Sequence, residues 1–428
     1  MKIEFVNHAS VIFHHEDIHM ICDPWLKDPV FHDGWNLIAE SKFTFDDFEK
    51  INYIWFSHEH PDHFYPPNIK NIDEKYRKNI TILFQETTDK KVIGFLKKLN
   101  FKEIIELKKD KWYELGKDFK ILCNPFDHDS WLCVKHKDIT VLNTNDCVID
   151  TRAEAKSVHD LTGDISVLLT QFSYGQYEGN KNEPHKRKQA VEKKFKQIDT
   201  QITQFKPKYL LPMASFIYFC HEENYYMNDE INKVGNVYDY YKSKGTVEPV
   251  VLYMNESWDP SQAYTNSERS IAAWNQHYEV VRNSPKLCKT NTVALNELLA
   301  TGEKFTSKFS ANPKLFNRLK KAGELNIYLT DHDRTVSLSW KGLQEKENQT
   351  PADIEVSSDV LQYCTKFDWG FNTTHVNGRI QFRGTSGFSK FVKFENLSNM
   401  LNHHDEVPGL ATRVVAKFKK VLSKVANR

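Results

Sequence analysis

No part of this chain limits its fold more than Ser57-His58-Glu59-His60-Pro61-Asp62-His63, where three imidazoles and two carboxylates fall within six residues. The preceding Asn52-Tyr53-Ile54-Trp55-Phe56 is aromatic and β-branched, and it reads as a buried strand that ends where the histidines begin. Buried ring nitrogens and carboxylate oxygens each need a partner, and packing alone does not supply so many. A divalent cation is the economical one. At a strand-to-loop turn His58 and His60 point the same way with period two, while Asp62 and His63 fall on the next bend and face a second position. That layout suits two adjacent ions held by nitrogen and oxygen donors.

The rest of the composition narrows the setting. A length of 428 residues accommodates two or three domains and a sizeable core. Aromatic residues at 13% and charged residues at 27% describe a globular chain. A net charge of +1 gives no global attraction to nucleic acid or to an acidic membrane. Met1-Lys2-Ile3-Glu4-Phe5-Val6 enters a strand at once, without a leader pattern, and no window of about 18 apolar residues reads as a membrane span, so a cytoplasmic protein is expected. The seven cysteines are scattered without a C-x-x-C pair and read as small core residues of a reducing compartment. No Cys/His pairing suited to a Rieske cluster is present.

The signature His58-x-His60-x-Asp62-His63 resembles that of the metallo-β-lactamase superfamily, which implies an α/β fold: an αββα sandwich with one or two metals at a sheet edge. With Asp23-Pro24-Trp25-Leu26, Phe31 and Gly34-Trp35 ahead of it, the pattern looks like the metal domain of the CMP-N-acetylneuraminate hydroxylase family and its Rieske-less bacterial relatives. It is similar at greater distance to the ascorbate-6-phosphate lactonase and N-acylphosphatidylethanolamine phospholipase D branches. The resemblance implies that His128, in the loop after a Phe119–Cys123 strand, completes the first metal, with Asp127 and Asp129 on either side of it. It implies that Asp146, in Asn143-Thr144-Asn145-Asp146-Cys147, bridges both ions, and that His221 gives the second metal its last ligand, although the family's proline after this histidine is Glu222 here. The expected metal ligands are therefore His58, His60, Asp62, His63, His128, Asp146 and His221, with Asp62 and Asp146 also the catalytic candidates.

Other residues are candidates for substrate. His8 lies in a turn between the first two strands, near the implied cleft. Asp23 reads as fixing a loop or orienting a ligand imidazole, not as a ligand itself. Tyr174 and Tyr177 sit in a glycine-containing loop suited to a sugar or base, and Lys186 and Arg187 open a basic helix that either meets phosphate or presents a solvated face.

The expected division is a catalytic domain over residues 1–255, a smaller α+β domain over 256–410, and a basic amphipathic helix over 411–428, suited to an anionic membrane surface or to packing on its own domain. Two divalent ions, ~3.5–4 Å apart, would lower the pKa of a shared water toward neutrality and polarise a carbonyl or phosphoryl oxygen. Zinc confines such a site to Lewis-acid chemistry, whereas iron or manganese also admits redox. Hydrolysis of a phosphorylated or nucleotide-linked sugar, a related phosphodiester or a lactone is one expectation. The other is iron-dependent hydroxylation of an N-acyl sugar nucleotide, with electrons from a separate partner. A metal-bound scaffold is the weakest reading, because a two-ion cage with room for water is not how structural metal sites are built.

Overall fold

Alternation along the first strands decides which residues meet which layer. In a strand successive side chains point to opposite faces. Ile3, Phe5, Val11, Phe13, Met20, Cys22, Trp55 and Leu83 accordingly share one buried cluster, while Val6, Ile12, Ile21, Ile54, Phe56, Ile82 and Phe84 share another. The computed structural model describes residues 1–347 and 350–402. It shows what each face buries against.

The first sheet has seven strands, in the order Ser257–Trp258, Lys2–Asn7, Ser10–His15, Ile18–Cys22, Tyr53–Phe56, Thr81–Gln85, Glu103–Leu107. The second also has seven: Glu248–Pro249, Tyr209–Met213, Val167–Gln171, Ile139–Asn145, Asp129–His136, Phe119–Phe126, Trp112–Gly116. The first face of the first sheet packs with Ile121, Cys123, Leu132, Val134, Val141 and Leu168 of the second. Its other face is covered by helical residues Ile69, Val92, Ile93 and Leu96. Beyond the second sheet, the helices Pro184–Phe205, Val234–Lys244 and Ser267–Asn283 add Ile198, Ile202, Val237 and Trp274 to the central cluster. The layers are therefore the expected helix, sheet, sheet, helix.

The boundary differs from the expected one at residue 255. The chain divides into Met1–Cys288 and a second unit that begins at Lys289. Ser257–Trp258 pairs with the first strand, Ile3 opposite Trp258, and Trp274 of the following helix donates its indole N–H to the Leu252 carbonyl at 3.0 Å. Burial of Trp274, Tyr278 and Trp258 thus keeps this segment in the first unit. The helix Lys91–Leu96 is preceded by Lys90 in the left-handed region with φ 54°.

The second unit, by itself, has a five-stranded sheet: Gly342–Glu345, Arg334–Ser339, Leu325–Leu329, Ile354–Val356 and Gln381–Phe382. It also contains the helices Leu295–Lys308, Pro313–Ala322, Ser358–Lys366, Gly370–Asn377 and Gly384–Asn402. The proposed helix at 411–428 lies outside the described residues. No helix among the described residues is long and apolar enough to cross a membrane.

Candidate metal centre

The buried strand Tyr53–Phe56 ends at Ser57, and the turn that follows carries its polar load as expected. His58, Asp62 and His63 are each no more than 1% exposed. His58 Nε2 lies 2.9 Å from His60 Nδ1 and 3.4 Å from Asp129 Oδ1. His63 Nε2 lies 3.2 Å from Asp62 Oδ2 and 3.3 Å from Asp146 Oδ2. Three overlapping donor groups result, His58/His60/Asp129, His58/His63/Asp146 and His8/Asp62/His63, each with its ligand atoms within 4.8 Å of one another.

Second-sheet residues reach this turn through two local devices. The strand Phe119–Phe126 does not stop at Cys123. It runs through Pro125, which pairs with Ser130, and a two-residue turn at Asp127-His128 starts the next strand at Asp129. Asp127 takes φ 53° there, a conformation aspartate tolerates. Asp129 is thereby aimed at His58, while His128 stands exposed at the turn tip. In the other strand the register shifts between Asn143 and Asn145, Asn145 adopts φ 48°, and the Asn143 side chain accepts from the Asn145 N–H at 3.0 Å. Such an irregularity re-aims the side chain that follows it, here Asp146.

A buried carboxylate supports the cluster from behind. Asp23 accepts from the Ser57 N–H and hydroxyl, both at 2.8 Å, contacts His63 Nδ1 at 3.1 Å, and accepts from the Asn145 amide. It fixes the ring of His63, the role anticipated for it.

Electrostatics divides the groups. Burial first, and neighbouring His63, lower His58 to about 4. Burial and His58 do the same to His60, also to about 4. Both rings are therefore neutral at pH 7, with lone pairs to offer. Burial works against a charge on His63, but Asp62 and Asp146 outweigh it and hold the ring well above the usual histidine range. Against the same burial, His63 keeps Asp62 and Asp146 low and ionised. Burial and the Asp146 charge push Asp129 up to about 6.

A metal fits these residues better than protons do. His63 Nε2, Asp62 Oδ1 and His8 Nδ1 are buried without a hydrogen bond, although His63 Nε2 has two carboxylate oxygens within 3.3 Å. Buried nitrogen and oxygen donors gathered within a few ångströms, with hydrogen bonding left incomplete, are what a cation satisfies.

Of the seven expected ligands, the structure brings together His58, His60, Asp62, His63 and Asp146. It does not place His128 or His221 in the three groups. His221 is buried beside Cys288, its backbone N–H on Asn224 Oδ1 at 2.9 Å and its Nδ1 accepting from the Glu223 N–H at 3.2 Å. In their place stand Asp129 and His8, the latter 3.3 Å from Asp62 Oδ2 instead of free for substrate. The signal for Asp129 was the strand's continuation through Pro125, hidden because proline normally ends ladder pairing.

The substrate candidates of residues 171–205 have partners within the protein. Arg187 is fully buried, with Nε at 2.6 Å and Nη2 at 2.7 Å from the Asp229 carboxylate, so it is not held out for phosphate. Lys186 pairs with Glu183 at 2.8 Å. The Tyr174 hydroxyl donates to the Met227 carbonyl and that of Tyr177 to Asn180 Oδ1 at 2.6 Å.

Residues 2–168 match the family model described as a beta-lactamase superfamily domain. Over residues 2–168 the chain is thus similar to the metallo-β-lactamase superfamily, and the helix, sheet, sheet, helix layering is consistent with that fold. Curated relatives of this superfamily domain include the cytidine monophosphate-N-acetylneuraminic acid hydroxylase of Xenopus laevis, 28% identical over 189 residues, or 41% of this chain and 32% of that protein. The enzyme of the same name from Asterias rubens is 27% identical over 248 residues, 54% of this chain and 37% of that one. The chain thus spans less than half the length of these relatives. Among solved structures, the diiron β-hydroxylase CmlA of Streptomyces venezuelae aligns with a TM-score of 0.44 at 17% identity, covering 60% of this chain and 53% of that one.

Proposed function

We propose that this metallo-β-lactamase-fold chain is a metal-dependent enzyme holding two divalent ions, zinc or iron, and that it hydrolyses a phosphorylated or nucleotide-linked sugar, or a related phosphodiester or lactone. One observation carries the reading: neutral imidazoles and ionised carboxylates from both sheets converge in one buried site, all of them nitrogen or oxygen donors. His58, His60 and Asp129 would hold one ion, and Asp62, His63 and His8 the other, with Asp146 beside both. When bound, such ions supply Lewis acidity toward a water and toward the substrate's carbonyl or phosphoryl oxygen. Manganese is compatible with the same donors.

The protein's own groups handle orientation and protons. Asp23 and Ser57 hold the ring planes of His63 and His58, since the Ser57 hydroxyl is also 2.8 Å from His58 Nδ1. Burial and the Asp146 charge raise Asp129 to about 6 in the metal-free cluster, so Asp129 would give up a proton near neutral pH to hold an ion there.

A second reading is hydroxylation of an N-acyl sugar nucleotide, which would take electrons from a separate partner; the similarity to the CMP-N-acetylneuraminic acid hydroxylases favours the hydroxylation. Metal analysis of protein purified without added metal, followed by incubation with CMP-N-acetylneuraminate, separates the two. Zinc and a hydrolysis product support the first. Two irons per chain, oxygen uptake on adding a reductant and a hydroxylated product would replace it with the second.

A further inference from the structure

The helix Pro184–Phe205 exposes Lys186, Lys188, Lys193 and Lys196 to solvent. Lys194 does the opposite. It is 9% exposed and lies on the inward stripe with Arg187, Ala190, Gln197, Ile198 and Gln201. An ammonium has only donors, so whatever faces it must accept. Lys194 Nζ meets Gln171 Oε1 at 2.6 Å and Gln197 Oε1 at 3.1 Å. With both amide oxygens so engaged, both NH2 groups must point away. Gln171 Nε2 donates to Asp146 Oδ1 at 2.8 Å, and Gln197 Nε2 donates to the Cys147 carbonyl at 3.3 Å. One cation therefore decides the sense of two amides, and the amides grip consecutive residues at the second-sheet end of the site. With its Oδ1 fixed in this way, Asp146 turns Oδ2 to His63 Nε2, 3.3 Å away.

We propose that Lys194 is a positioning residue for the metal centre: through Gln171 and Gln197 it sets the rotation of the Asp146 carboxylate and hence its availability to a bound cation. The inference rests on the metal-centre reading above. Removing Lys194 frees both amides to flip, and a flipped Gln171 presents its oxygen to Asp146, replacing attraction by repulsion. Outer partners of this kind set metal affinity without touching the metal.

The test is titration of chelator-treated, full-length protein with Co2+, read by visible absorption and by competition with a chromophoric chelator. The comparison is wild type with Lys194→Met, Lys194→Arg, Gln171→Leu and the double variant Lys194→Met/Gln171→Leu. The wild type is expected to take two equivalents. In Lys194→Met, because Asp146 stands beside both positions, two-equivalent binding weakens about 10–100-fold with an altered visible spectrum. Lys194→Arg, which again offers only donors, recovers affinity. The double variant binds no more weakly than the worse single one, because both changes break one relay. Should Lys194→Met fail to fold, Gln171→Leu carries the same expectation alone. Two-equivalent binding that is identical in wild type and Lys194→Met, or losses that add in the double variant, would overturn the relay and leave the metal centre standing. A wild type that takes up no cobalt would overturn the metal-centre reading and this inference with it.

Discussion

Replacing Asp23 with alanine isolates what the buried carboxylate does. Four donors converge on it: the Ser57 N–H and hydroxyl, His63 Nδ1 and the Asn145 amide, with Asp23 itself 1% exposed. The hydroxyl has another acceptor at hand, His58 Nδ1 at 2.8 Å. The Asn145 amide likewise keeps Ser57 Oγ at 3.0 Å, but the Ser57 N–H and His63 Nδ1 are held in place, and stranding a buried donor costs about 1–3 kcal/mol each. Alanine must also hold φ 42°, a left-handed conformation costing roughly 1 kcal/mol. Relief of carboxylate desolvation offsets part of this, leaving about 4 kcal/mol, a large share of the roughly 5–15 kcal/mol by which domains are stable. Asp23→Asn keeps one acceptor but turns an NH2 toward other donors, and about half that loss is expected. Urea unfolding of chelator-treated protein, followed by tryptophan fluorescence, gives the first number. Metal competition gives the second, about 10–100-fold weaker binding, as His63 loses its orientation. If Asp23→Ala unfolds within about 1 kcal/mol of wild type and binds metal as tightly, Asp23 does not organise the centre as argued.

Four further outcomes are expected. Asp146→Ala and His60→Ala each lose metal and activity together, and elemental analysis with full occupancy in either would refute their assignment. Burial lowers Lys194 from 10.5 to about 8, so between those values the unfolded chain binds more protons than the native one and stability rises with pH. Relative to Lys194→Met, metal-free wild type should therefore gain about 2 kcal/mol from pH 7.5 to 9.5, by denaturant titration at each pH; no change, or a loss, contradicts the burial of a charge there. Arg187→Met should destabilise the first unit by about 2 kcal/mol, discounted because Asp229 is 40% exposed, yet leave substrate KM unmoved, the opposite of a phosphate contact. Gly387→Ala would put a Cβ 2.0 Å from the Asp353 carbonyl oxygen, and a loss of about 3 kcal/mol should appear in calorimetry of the second unit.

The first sheet and the histidine turn were legible because period-two alternation and an abrupt change from aromatic to imidazole are local properties of Tyr53–His63. Asp146 was legible through its neighbours. Asp129 was not, since Pro125 concealed the last pairs of its hairpin. Gln171 and Lys194 were out of reach for another reason: they lie 25 and 48 residues beyond Asp146, and only the parallel pairing of Ile139–Asn145 with Val167–Gln171, with the helix laid across it, makes them neighbours. The boundary at Cys288 depended in the same way on Trp274, whose partner Leu252 lies across a polar stretch.

Asp62 and His63 follow the end of a strand of one sheet, Asp129 and Asp146 lie at strand ends of the other, so an ion gripped by both would act as a rivet through two leaves. Its grip adds to the cohesion of the sandwich in proportion to the logarithm of its concentration. Stripping it with a chelator should lower the melting temperature of the first unit while that of the second stays put. The catalytic cofactor and the fastener of the fold would then be one and the same particle.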